Sequence, residues 1–178
     1  MSVDPGAIPD PEASAFEVYI RVRFHEVDPL GHVNNAAYLN YLEQAAIDHA
    51  AFLGLDLPRL QALGGAFVAR RHEIEFLKPT FAGNLLRVIT WLSEPRGARV
   101  DRRYLVFKEF ASLTEVAIAG RPVKWSGVQD DEALVVRATT EWVFASSRGL
   151  PRRIPEEVVR LFQLGSTRWG TSMARKSP

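Results

Sequence analysis

Hydrophobic and polar residues alternate from Phe16 onward. Phe16, Val18, Ile20, Val22 and Phe24 fall on one face, and Glu17, Tyr19, Arg21, Arg23 and His25 on the other. Successive side chains of a strand point to opposite faces, so a period of two predicts a strand with one dry face. The turn-like Asp28-Pro29-Leu30-Gly31 follows, and then the period changes. Leu39, Leu42, Ala46, Ala50 and Leu53 recur at the spacing of one helical face, which predicts a helix from Asn35 to Leu53. Asn34 and Asn35 suit its start, where a side-chain oxygen can accept an otherwise orphaned N–H, and Gly54 suits its end.

Pro58 to Leu63 predicts one short further turn of helix. Beyond it, Ala66 to Phe76, Leu85 to Leu92, Arg99 to Phe110 and Ala133 to Phe144 are rich in Val, Ile, Thr, Phe and Trp. Breaks such as Lys78-Pro79 and Glu94-Pro95-Arg96-Gly97 separate them, so they read as strands. Residues 155 to 163 predict a terminal helix. The order strand, long helix, several strands argues for an α+β fold with the helix packed on an antiparallel sheet. Three stretches fall outside this pattern. Residues 1–14 are expected to be a disordered leader, 112–132 a loop insertion, and 165–178 a flexible basic tail, leaving a single domain over 15–164.

Composition narrows the function. The 178 residues are 47% apolar and carry 22 Lys plus Arg against 21 Asp plus Glu, with no cysteine. Without thiols there is neither a disulfide framework nor a thiolate metal site, and a net charge of +1 gives no overall field for nucleic acid. No apolar run approaches the ~18–20 residues that a bilayer crossing needs. The opening MSVDPGAIPDPEAS places acids and prolines where a secretory signal has basic and apolar residues. The expectation is a soluble, cytoplasmic protein without nucleic-acid or membrane partners.

Several chemistries are missing from the chain. It has no Gly-x-Ser-x-Gly elbow, no dinucleotide-type glycine loop and no Gly-Lys-Ser/Thr phosphate loop. His25, His32, His49 and His72 include no pair at metal-binding helical spacing, so no metal is expected.

The densest polar constellation is Asp28-Pro29-Leu30-Gly31-His32-Val33-Asn34-Asn35, between a strand and the long helix. First-turn N–H groups point outward with partial positive charge and can hold a carbonyl oxygen as it becomes an oxyanion. A carboxylate beside them can attack that carbonyl, or take a proton from an attacking water. The same residues also suit a purely structural turn and cap.

Asp28, Gly31, His32, Val33, Asn34, Asn35, Tyr38 and Glu43 reproduce an Asp-x-x-Gly-His-Val-Asn-Asn-x-x-Tyr-x-x-x-x-Glu signature. With Arg23 to Val27 upstream, Glu73 to Pro79 downstream and Thr139 to Phe144 later, the chain resembles the hotdog-fold thioesterases of the 4-hydroxybenzoyl-CoA and acyl-ACP thioesterase branch. The resemblance implies a hotdog fold, with a long central helix wrapped by an antiparallel β-sheet. It implies acyl-CoA thioesterase activity, with Asp28 as nucleophile or general base and the amide of Asn35 as oxyanion donor. Gly31 would permit close approach of substrate, and His32 and Asn34 would orient it. Tyr38 belongs to the signature and can equally pack on the sheet with its hydroxyl paired. Glu43, expected half-buried next to Leu42, is a second catalytic candidate, because a related branch uses a helix glutamate.

No cofactor is implied. The substrate would be an acyl-CoA or acyl carrier protein thioester, with Arg70, Arg71, Arg96, Arg99, Arg102 and Arg103 as surface cations left unassigned. Sheet edges that would otherwise template aggregation predict a homodimer or homotetramer. The chain departs from the family in lacking an arginine after Glu43-Gln44-Ala45. Hydratase or dehydratase action on a 3-hydroxyacyl thioester, and non-catalytic acyl-thioester binding, are the alternative readings.

Overall fold

In the computed structural model, which describes residues 14–109, 120–124 and 133–167, the strands form one six-stranded sheet. They are β1 (Ser14–Arg21), β2 (Ala66–Phe76), β3 (Leu85–Leu92), β4 (Arg99–Glu109), β5 (Arg121–Lys124) and β6 (Leu134–Ala145). Across the sheet the order is β2-β6-β4-β3-β1-β5, and each neighbouring pair is antiparallel. Helix α1 (Asn35–Phe52) and the short α2 (Leu57–Ala62) lie between β1 and β2 in the chain, and α3 (Glu156–Thr167) follows β6. No described helix is long and apolar enough to cross a membrane.

α1 ends where the sequence predicts, with Leu53 as its cap and Gly54 at φ +73°. Its buried stripe, however, is Ala37, Tyr38, Tyr41, Leu42, Ala45, Ala46 and His49. Leu39, expected on the dry face, is 36% exposed. Two tyrosines and a histidine carry enough apolar surface to turn the helix by about one position from the face that aliphatic residues alone suggest. Ala37, Tyr38, Tyr41, Leu42 and Ala45 of this stripe pack with Phe16, Val18 and Val22 from the β1 segment, Leu86 and Val88 of β3, Tyr104 and Val106 of β4, and Val136 and Ala138 of β6. The opposite sheet face is buried at Ala15, Ile89, Trp91, Leu105, Phe107 and Leu134. Burial on both faces explains why β3 reads as a continuous apolar run rather than an alternation.

The β1 alternation departs from expectation in two places. Phe24 lies past the strand, in a 3-10 turn over Phe24–Glu26, and is 86% exposed. Glu17, assigned to the wet face, is buried; Nε of Arg121 donates to it at 2.5 Å, and Arg87 lies at 3.9 Å. Arg121 belongs to β5, which pairs with β1 from Ser14↔Lys124 to Glu17↔Arg121. Part of the stretch expected to be a loop is therefore an edge strand, and its arginine neutralises a carboxylate that would otherwise be a costly buried charge. Ser14 belongs to β1 rather than to the leader, and α3 runs to Thr167, past the expected start of the tail. Residues 1–13, 110–119, 125–132 and 168–178 lie outside the described residues.

A polar contact crosses the core near the carboxyl end of α1. Nη1 of the buried Arg102 lies 3.0 Å from Nδ1 of the buried His49 and 3.2 Å from Oγ1 of Thr90. Guanidinium can only donate, so Nδ1 accepts and His49 is the neutral tautomer protonated on Nε2. Its ring stacks on Phe16 with centroids 4.8 Å apart. Burial, and then the Arg102 charge, hold its pKa well below the ordinary histidine value. In the unfolded chain His49 takes up a proton below about pH 6.5, whereas the native state refuses it. Its contribution is therefore complete above that pH and is lost as pH falls, by up to about 1.4 kcal/mol per pH unit. Urea denaturation between about pH 8 and pH 5.5 should show this decline in wild type and a shallower one in His49→Gln. Equal slopes would exclude a neutral native His49.

Candidate functional site

The chain leaves β1 and reaches α1 through a loop pinned by its own hydrogen bonds. Val27 and Val33 form an isolated bridge, Asp28 N–H donates to the His32 carbonyl at 2.7 Å, and Gly31 N–H donates to the Asp28 carbonyl at 2.9 Å. Gly31 has φ +80°, a left-handed conformation that other residues resist. The Asp28 side chain faces into this loop. Its Oδ1 accepts from Leu30 N–H at 2.8 Å and His32 N–H at 3.1 Å. Both bonds fall on Oδ1, so Oδ2 has no hydrogen-bond partner among the described residues.

Asn34 is the N-cap of α1, its Oδ1 accepting from Ala36 N–H at 2.9 Å and its carbonyl from Ala37 N–H at 2.8 Å. These bonds use the second and third amides of the helix. The first, that of Asn35, has no acceptor among the described residues. Asn35 lines the same pocket as Asp28, together with His32, Tyr38, Lys78 and Thr80; about 570 Å³ of space lies there, part of it open to solvent. A half-buried carboxylate and an unsatisfied N–H donor at the positive end of an 18-residue helix thus line the same pocket.

The remaining signature residues separate by role. Tyr38 is buried with its hydroxyl 2.6 Å from Oγ1 of the buried Thr80, and burial raises its pKa. It lines the pocket and is buried, as the packing role requires. The imidazole of His32 sits edge-on to Phe81, centroids 5.3 Å apart, and makes no side-chain hydrogen bond among the described residues. Glu43 corrects the expectation of half-burial. It is exposed on α1, because one residue beyond Leu42 is a rotation of ~100° round the helix. It does not line this pocket.

Two supporting residues escape the sequence reading. Glu26 accepts from Arg23 N–H at 2.6 Å and the Tyr41 hydroxyl at 2.7 Å, while its carbonyl accepts from Asn34 N–H. Burial and the Glu26 contact raise the Tyr41 pKa. Thr80 accepts the Val33 N–H on its carbonyl and pairs with Tyr38. The Leu77-Lys78-Pro79 stretch before it hints at this position, but neither contact is local enough to be read from spacing.

The model of the thioesterase-like superfamily matches residues 22–162. The chloroplastic acyl-acyl carrier protein thioesterase ATL3 of Arabidopsis thaliana is 29% identical over 92 residues, which is 52% of this chain and 48% of that protein. Its relative ATL2 is 30% identical over 92 residues, covering 52% and 49%. The chain spans about half the length of these curated relatives. A probable thioesterase from Bartonella henselae superposes with a TM-score of 0.60 at 26% identity, over 78% of this chain and 98% of that one. A 1,4-dihydroxy-2-naphthoyl-CoA thioesterase from Synechocystis shares the fold, with a TM-score of 0.64 at 16% identity over 88% and 98% of the two chains.

The cap gives a direct check on the helix terminus. Asn34→Ala removes the acceptor of Ala36 N–H and should lower unfolding free energy by about 0.5–2 kcal/mol in urea titration, with Asn34→Asp restoring most of it.

Proposed function

Because the chain belongs to the thioesterase-like superfamily, we propose that the Asp28 pocket hydrolyses an acyl thioester to a carboxylic acid and a free thiol. One observation carries this reading: the Asp28 carboxylate and the acceptor-less N–H of Asn35 line one pocket at the amino end of α1. A thioester carbonyl seated there points its oxygen at the Asn35 amide. Attack turns that oxygen into an oxyanion, which the N–H and the positive helix end stabilise more than they stabilise the neutral carbonyl.

Two routes use the same carboxylate. As general base, Asp28 takes a proton from water while the water oxygen bonds to the acyl carbon. The tetrahedral intermediate then expels the thiolate, which recovers the proton. As nucleophile, Asp28 bonds to the acyl carbon, releases the thiolate and forms an anhydride that water opens. The backbone bonds to Oδ1 orient the carboxylate and leave Oδ2 for either task. Gly31 keeps a side chain away from the approach, while His32 and Asn34 set the shape of the loop. Glu43, exposed and outside the pocket, is the weaker candidate for the chemistry.

The substrate is an acyl-CoA or acyl carrier protein thioester; the matched Arabidopsis proteins bear the second specificity in their names. The outer edge of the eleven-residue β2 lacks a partner strand in the described sheet, and Val68 and Phe76 on it are exposed. Such an edge supports pairing with a second copy, giving a homodimer or homotetramer.

Thiol release over a panel of acyl-CoA chain lengths tests the chemistry. Asp28→Asn should lose at least ~10²-fold in kcat, the scale on which single oxyanion-hole or catalytic groups act. An Asp28→Asn enzyme that keeps most of its rate, with Glu43→Gln inactive, would transfer the chemistry to Glu43. Sedimentation velocity should find a dimer or tetramer for wild type and a shift toward monomer for Val68→Lys; a monomeric wild type would remove the edge-pairing reading.

A further inference from the structure

We propose a second ligand site, in which the buried Arg102 anchors the carboxylate of a free aliphatic acid whose chain fills an apolar pocket beneath the carboxyl half of α1. That pocket encloses about 530 Å³, part of it open to solvent, and Ala50, Leu57, Phe67, Trp142 and Phe162 are among its apolar walls. Arg102 is the charged residue lining it.

The charge balance around Arg102 is what points to an anion. Its side chain is 3% exposed, and a guanidinium stays protonated even when buried. Its polar contacts, His49 Nδ1 and Thr90 Oγ1, are neutral. No described carboxylate comes within salt-bridge distance, in contrast to Arg59, Arg70, Arg87, Arg96 and Arg121, each of which meets one. The Phe162 ring, 5.8 Å from the guanidinium carbon, and the negative end of α1 offset part of the charge. Neither is a full negative charge, and a buried unpaired cation is among the costliest features a core can hold. A carboxylate fits the planar fork of a guanidinium, and apolar walls suit an alkyl chain better than a hydrated inorganic anion.

This site is separate from the Asp28 pocket. The two share no lining residue, and the nearest α1 residues lining them, Tyr38 and Ala46, are eight positions apart, about 12 Å along the axis. The inference therefore stands or falls independently of the proposed hydrolysis.

Calorimetric titration of the full chain with decanoate, and with 1-decanol as the uncharged counterpart, tests it. Decanoate should bind saturably at one per chain, and decanol at least about tenfold more weakly, the size of effect expected for a charged hydrogen bond. Arg102→Gln should weaken decanoate by a similar factor, and Asp28→Asn should bind it as wild type does. Ala50→Phe, which fills the pocket without touching the guanidinium, should abolish binding and serves if Arg102→Gln fails to fold. Absence of saturable binding, equal affinity for the alcohol, undiminished binding by either pocket variant, or loss of binding in Asp28→Asn would overturn the proposal.

Discussion

The amino end of α1 is held by three connections that arrive from different parts of the chain. Asp28 folds its own loop through Leu30 and His32, Glu26 receives Asn34 and Tyr41, and Thr80 receives Val33 and Tyr38. Each bond satisfies a loop N–H or a tyrosine hydroxyl and fixes its direction. What remains is one amide, that of Asn35, with no acceptor among the described residues. An N–H donor left without an acceptor does nothing for stability, so its place in the pocket is not explained by the fold alone.

The loop itself is legible in the sequence because its bonds are local. Asp28, Gly31 and Asn34 act on residues within four positions, so spacing alone announces a turn and a cap, while the left-handed φ of Gly31 is a finding of the structure. Helix α1 is legible in extent for the same reason, but its buried stripe is not. Tyr38, Tyr41 and His49 each join a polar atom to a large apolar surface, and only the partners Thr80, Glu26 and Arg102 show how the polar atoms are satisfied. Those partners lie 15 to 53 residues away. Glu17 fails in the same manner: nothing near it in sequence reveals that Arg121, 104 residues on, makes its burial tolerable.

Arg102 shows the limit of patterning from the other side. On β4 it follows Asp101 and precedes Arg103, a setting that reads as a solvated face. The pleat instead sends it inward beside Tyr104, onto the face that meets the carboxyl end of α1. Alternation identifies which residues share a face of a strand. When both faces are buried, it no longer says which face is dry, and charge then has to be located by its contacts.

The strand order has a consequence for how the molecule comes into being. β1 bonds to β3, and Arg21 at the end of one meets Leu85 at the start of the other, 64 residues later. The intervening chain carries the loop, α1 and β2, so the helix emerges from the ribosome before most of the surface it will cover. At ~5–20 residues per second, translation takes on the order of 3–13 s to span that interval. Pairings of such long sequence separation also make for slow folding. During this time the aromatic side of α1 has no sheet to rest on, and Tyr38 has no Thr80. The pocket at the amino end of α1 is thus among the last features the nascent chain acquires, and a truncated product would carry Asp28 and Asn35 without the Thr80 side of that pocket.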